Sequence, residues 1–159
     1  MPMAARGMAA EGDRAKPPRE VSAGGVVVRD EEVLAIVPAK RASDGTRVLA
    51  LPKGHFAPGE TAVQAAQREV REETGVEAEP VRELGEARYF YRRGGKTIGK
   101  SVTFFLFRYR HGDTANHDEE VEEVRWLGLR EAQRTLTHAA EREMVGRALA
   151  CLEDVRKDR

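Results

Sequence analysis

The 159-residue chain has a single cysteine, Cys151, so no internal disulfide can form and a reducing compartment is expected. Long apolar runs are missing too. The greasiest stretch, Val102–Phe107, is six residues with a Thr inside it. That falls far short of the ~18 residues a membrane helix needs. Net charge is also lacking. Lys and Arg number 27 and Asp and Glu number 27, which removes a bulk electrostatic case for nucleic-acid or lipid binding. Any charge-driven function must come from local segregation. No internal repeat is visible.

What is present suits one globular domain. Hydrophobic residues make up 40% and charged residues 34%, which argues against wholesale disorder. A chain of this length hides about two-thirds of its unfolded surface. Residues 1–19 read as a disordered tail of Met, Ala, Gly and charge ending near Pro17 and Pro18. The tail has no apolar core to act as a secretion signal, and Glu11 and Asp13 count against a mitochondrial presequence. The expected domain is therefore 20–157, in the cytoplasm, as a monomer or homodimer.

The β-branched runs Val21–Arg29 and Val33–Val37, separated by Asp30, Glu31 and Glu32, predict a hairpin. Arg47–Leu51 reads as a further short strand, stopped by Pro52, and Pro52–Glu60 as a loop. A helix is predicted over Ala62–Thr74, opened by the capping box of Thr61 and Gln64 and stopped by Gly75. Strand character returns at Val81–Tyr91 and Ser101–Tyr109, joined by a turn over Arg92–Lys96, and again at Val124–Leu127. At the end, Met144, Val145, Ala148, Leu149, Leu152 and Val155 form one helical apolar stripe. Mixed strands and helices point to a layered α/β fold.

Within Ala62–Thr74, steps of ~100° per residue put Glu69, Glu72 and Glu73 on one arc of about 100°. Val63, Ala66 and Val70 occupy the adjoining arc. Like charges at this spacing repel by a few tenths of a kcal/mol per pair. They also sit near the helix C-terminus, the wrong end for anions. A divalent cation removes the conflict, and hard oxygen ligands suit Mg²⁺, with Mn²⁺ as substitute. The same spacing equally allows a surface helix whose acids pair with Arg68 and Arg71.

The surroundings separate these readings. Gly54, Glu60, Arg68, Glu69, Val70, Glu72, Glu73, Gly75 and Val76 match the pattern G-x5-E-x7-R-E-U-x-E-E-x-G-U, with U aliphatic. Nine constrained positions across 23 residues make a specific signal. The chain thus resembles the Nudix hydrolase superfamily from roughly Val21 to Val155. The resemblance implies an α/β/α sandwich around a mixed sheet, with a loop–helix–loop carrying the box. It also implies Mg²⁺-dependent hydrolysis of a pyrophosphate bond in a nucleoside diphosphate derivative.

Carried over, Glu69, Glu72 and Glu73 are the metal-site carboxylates, with Glu69 favoured as the base. Glu60 and Arg68 hold the loop and helix in shape, and Gly54 and Gly59 allow the loop's path. A backbone carbonyl near Lys53 and Gly54 completes the shell. Glu120, six residues before Trp126, fits a further ligand best, with Glu119 and Glu123 as rivals.

Arg88, Arg92, Arg93, Lys96 and Lys100 lie in a segment without an acid, and Lys53 adds a cation near the box. They read either as a polyphosphate clamp or as a solvated hairpin tip. The Leu51–His55 lead-in, the Tyr91–Lys100 stretch and the His117–Glu120 acids look like diadenosine polyphosphate hydrolases. On that match Lys53, Gly54, His55 and Lys100 contact phosphates and Tyr91 stacks on adenine. Oxidised nucleoside triphosphates, ADP-ribose and diphosphoinositol polyphosphates are the alternative substrates, and a non-catalytic nucleotide sensor the alternative class. Trp126 is expected to pack in the core, Cys151 to be inert, and His111, His117 and His138 to be surface or capping residues.

Overall fold

The computed structural model describes residues 19–157; residues 1–18 of the predicted tail lie outside the described residues, and Arg19, assigned to the tail, opens the first strand. Strands β1 (Arg19–Arg29) and β2 (Glu32–Pro38) are followed by a three-residue strand β3 (Lys53–His55) and helix α1 (Ala62–Thr74). Then come β4 (Val76–Arg93), β5 (Lys96–Gly112), β6 (Val121–Gly128), α2 (Leu129–Thr135) and α3 (Ala139–Lys157). The sheet runs β4-β5-β1-β2-β6, with β3 also paired to β1. It is mixed, because β1 and β5 are parallel and the other pairs antiparallel.

Period-two alternation sends side chains to opposite faces. Ala23, Val27, Phe105 and Phe107 turn to one face and pack with Ala65, Ala66 and Val70 of α1. Val26, Val28, Val102, Phe104 and Leu106 turn to the other and pack with Leu129, Ala132, Met144, Val145 and Ala148 of α2 and α3. The result is the expected α/β/α sandwich. Leu149 and Leu152 are half-buried on the same stripe, while Val155 lies outside the described side chains.

The feature that positions the site is a wedge. Between β1 and β2, pairing is limited to Val28 with Val33 and Arg29 with Glu32. Beyond that point the two strands part, and the chain from Ala50 to His55 enters between them. Ala50 exchanges both backbone bonds with Ile36 of β2, while Lys53–His55 pair with Ser22–Gly24 of β1.

Three expectations need correction. Arg47–Leu51 is not a strand, and only Ala50 makes a bridge. Its neighbours bond elsewhere: Leu49 N–H donates to Thr137 Oγ1 and Leu51 N–H to Glu141 Oε1. The segment 52–60 is not all loop, since it supplies β3. The long hairpin reverses in two residues rather than five. Gly94 and Gly95 both take positive φ, 57° and 77°, so β4 and β5 pair out to Arg93 and Lys96. The helix α2 within 129–135 had no separate prediction.

Candidate active site

The box helix starts and stops as its sequence dictates. Thr61 Oγ1 accepts from Gln64 N–H at 3.3 Å, and Thr61 N–H donates to Gln64 Oε1 at 2.9 Å. Gly75 closes the helix, donating its N–H to Arg71 O at 2.9 Å. Val70, fully buried, fixes the helix rotation. With that face committed to the sheet, the carboxylate arc must lie along its margin, beside the wedge.

Arg68 organises the box. Its guanidinium forks onto Glu60, Nε to Oε2 at 2.7 Å and Nη2 to Oε1 at 2.9 Å. Nη2 also donates to His55 O at 2.9 Å. Nη1 donates to Glu69 Oε1 at 2.8 Å and Glu72 Oε2 at 2.9 Å. Glu60 Oε1 additionally accepts from Ala57 N–H at 2.7 Å. These bonds hold the Glu60 carboxyl down at about 2, and the guanidinium is pushed still further toward its charged form. Arg68 thus ties the loop to the helix and is the counter-ion of three box carboxylates, Glu60, Glu69 and Glu72. Arg71 turns away to Glu77 at 3.5 Å.

Glu73 differs from its neighbours. It is 8% exposed, and Oε1 accepts the main-chain N–H of Lys53 at 2.9 Å. Burial is the largest cause of its carboxyl rising to about 8, outweighing the Lys53 bond and charge. Glu69 is also raised, first by burial and then, against the pull of Arg68, by Glu72 and Glu120.

A cleft of about 570 Å³ opens at the wedge. Glu69, Glu73, Glu120, Lys40, Lys53 and Lys100 all line it, as do Gly54 and His55. His55 Nδ1 lies 3.4 Å from buried Ser22 Oγ. The structure therefore brings together most of the residues singled out in the sequence. Glu72 and Arg68 stand beside the cleft rather than among its lining residues.

Tyr91 is not among the lining residues either. It lies near the hairpin tip, where Arg93 stacks over its ring at 5.2 Å and bonds its hydroxyl at 2.7 Å. Most of the basic segment is used locally as well. Arg88 pairs with Glu86, and Arg92 bonds Thr97 and Gly95. Of the rival acids, Glu123 is held by Arg125 and Arg47. Trp126 is half-buried, edge-on to Tyr109 and covered by the Arg29 guanidinium at 3.9 Å.

Two residues escaped the sequence reading. Lys40 follows β2 and faces the cleft only because the sheet parts there. Glu141 is fully buried beneath Lys53. Its signal was present, since Glu141, Met144, Val145 and Ala148 share one helical stripe, and a carboxylate on an apolar stripe requires a partner.

Among the described residues, no three His, Cys, Asp or Glu side chains converge as a ready metal cage. Arg68 occupies Glu69 and Glu72, and the backbone of Lys53 occupies one oxygen of Glu73. The donor chemistry still fits a hard divalent cation. The cleft offers carboxylate oxygens, and the most buried of them, on Glu73, is the one that gains most from an added positive charge.

No helix among the described residues is long and apolar enough to cross a membrane. The NUDIX domain family model matches residues 18–147. The Mycobacterium tuberculosis protein MutT4 is 35% identical over 151 residues, covering 91% of this chain and 60% of its own. The mouse (Mus musculus) asymmetrical bis(5'-nucleosyl)-tetraphosphatase is 36% identical over 93 residues, 58% of this chain and 63% of its own. The chain thus spans less than two-thirds of the length of these relatives. Among solved structures, a C. elegans Ap4A hydrolase binary complex superposes with a TM-score of 0.67 at 26% identity, covering 85% of this chain and 98% of that one. Family model, sequence relatives and fold agree with the arginine-tied box beside the cleft: the chain belongs to the Nudix family.

Proposed function

We propose that the protein is a Mg²⁺- or Mn²⁺-dependent pyrophosphohydrolase of nucleoside polyphosphates, acting on dinucleoside polyphosphates such as diadenosine tetraphosphate. The observation that carries this reading is the composition of the cleft. Three lysines and His55 share one cavity with three box-side or loop carboxylates. Lysines at several points suit a chain of phosphates longer than a diphosphate, while the carboxylates serve the reacting end. The likeness to proteins named as asymmetrical tetraphosphatase and Ap4A hydrolase supports the same choice.

Glu69, Glu73 and Glu120, with Glu72 at the margin, are the residues that would hold the ion. A bound divalent cation supplies charge compensation on the phosphoanhydride and acidifies a water. Glu69 is the proposed base: burial raises its carboxyl, which makes it a better proton acceptor than an exposed glutamate. Glu73 anchors the lead-in strand through the Lys53 main chain. Lys53, Lys100 and Lys40 orient the polyphosphate and offset its charge. Arg68 shares Glu69 and Glu72 with any ion that enters and preserves the box geometry through Glu60. A cytoplasmic location is part of the proposal and rests on the lone cysteine.

The test is a nucleotide panel in isotopically labelled water with products resolved by mass. Cleavage of diadenosine tetraphosphate to ATP and AMP, with label in one product, is expected. Turnover confined to nucleoside triphosphates or ADP-ribose would replace this substrate.

A further inference from the structure

Glu141 is an ionisable side chain with no exposure at all, on the helix layer opposite the box helix. Its carboxylate collects donors from separate parts of the chain. Oε1 accepts Leu51 N–H at 2.7 Å. Oε2 accepts Tyr89 O–H at 2.8 Å and lies 3.1 Å from Lys53 Nζ. His138 packs edge-on to Tyr89, with ring centroids 5.3 Å apart. The Lys53 ammonium also donates to Leu51 O at 3.4 Å.

Lys53 is thereby held at both ends. Its main-chain N–H is bound by Glu73 of α1, and its ammonium by Glu141 of α3. Its side chain is 14% exposed, and Lys53 is one of the residues that line the cleft. A buried ion pair is weak evidence of stability, because desolvation cancels most of its attraction. What this pair gives is placement. A lysine stem has many rotamers, and fixing it before substrate arrives removes an ordering cost from binding.

We infer that Glu141 is a positioning residue, holding the Lys53 ammonium from α3 at the place where a phosphate must meet it. The Leu51 and Tyr89 bonds satisfy the carboxylate independently. Lys53 can therefore be shared with an anion without leaving Glu141 unpartnered. The inference rests on the reading above, in which Lys53 contacts phosphate.

The experiment uses the full chain, with inorganic pyrophosphate and Mg²⁺ as the binding probe. Glu141→Gln is expected to weaken pyrophosphate binding about tenfold, the usual effect of losing a supporting partner. In a Lys53→Met background the same change is expected to cost less than about twofold, because coupled residues are not additive. Equal losses in both backgrounds, or no loss with Lys53 present, would overturn the inference. A second measurement needs no Glu141 variant. The Lys53 ammonium resonance, assigned by its disappearance in Lys53→Met, is expected to exchange with water more slowly than those of surface lysines. A Lys53 signal averaged like theirs overturns the inference even if Glu141→Gln does not fold. Wild-type turnover of diadenosine tetraphosphate is scored separately. Its absence alongside a Lys53-dependent loss removes the substrate and keeps Glu141 as the positioner.

Discussion

Gly54 lies directly against the carboxylate of Glu69, so close that a β-carbon at residue 54 would overlap the Glu69 carboxyl group. The glycine is needed for this approach, and it sets where Glu69 can stand. Gly54→Ala should push Glu69 off Arg68 and lower kcat by about 10²-fold, as small misplacements of catalytic groups do. The stability cost should be small, because the atoms that must give way are the end of a flexible side chain. Steady-state kinetics with thermal unfolding checks both, and a normal kcat in the Gly54→Ala variant would show that Glu69 placement is not limiting.

Glu69→Gln should lower turnover by about 10²- to 10⁴-fold, the range for lost proton transfer, and Glu73→Gln should lower it by orders of magnitude through the loss of an ion-holding carboxylate. The fold should survive. In Glu73→Gln the new amide oxygen can still accept Lys53 N–H, and Arg68 keeps Glu60 and Glu72 when Glu69 is neutralised. Circular dichroism and initial rates at saturating Mg²⁺ test this together; full activity in either variant refutes the role assigned to that residue.

The Glu60–Arg68 fork makes a prediction for acid. Glu60 titrates at about 2 in the folded chain against an ordinary 4.5. A depressed carboxyl contributes stability that is fully present above the unfolded value and is lost as pH falls from 4.5 toward 2. Urea midpoints measured down that range should fall, and Glu60→Gln should flatten the fall. An identical acid limb in the variant would show that the fork is not the titrating element.

Thr61→Ala removes the reciprocal cap of α1 and should cost about 1 kcal/mol, the typical value for an N-cap hydroxyl. The carboxylates lie at the other end of the helix, so kcat should hardly change. Chemical denaturation beside kinetics separates the two effects. A large fall in kcat would mean that fraying at Thr61 reaches the carboxylates.

The parts of the fold legible in the sequence are those governed by neighbours along the chain. The β1–β2 hairpin, the α1 limits and the α3 stripe follow from alternation, capping and helical period. Arg47–Leu51 misled because its composition favours a strand while its backbone partners are Thr137 and Glu141, roughly ninety residues away. Tyr91 and the basic segment misled because two glycines let the hairpin run on. Its tip is occupied with its own contacts, and Lys100 alone of that segment lines the cleft.

By itself, the sequence determined the box. Nine spaced residues fix a loop, a capped helix and three acids on one arc, because every relation among them spans only a few helical turns. Tertiary structure alone decided what those acids face. The parting of β1 from β2 admits Lys53, brings Lys40 and Lys100 to the same cavity, and lets Glu141 on the far layer grip Lys53. Such pairings depend on strand order across the sheet, which no local periodicity encodes.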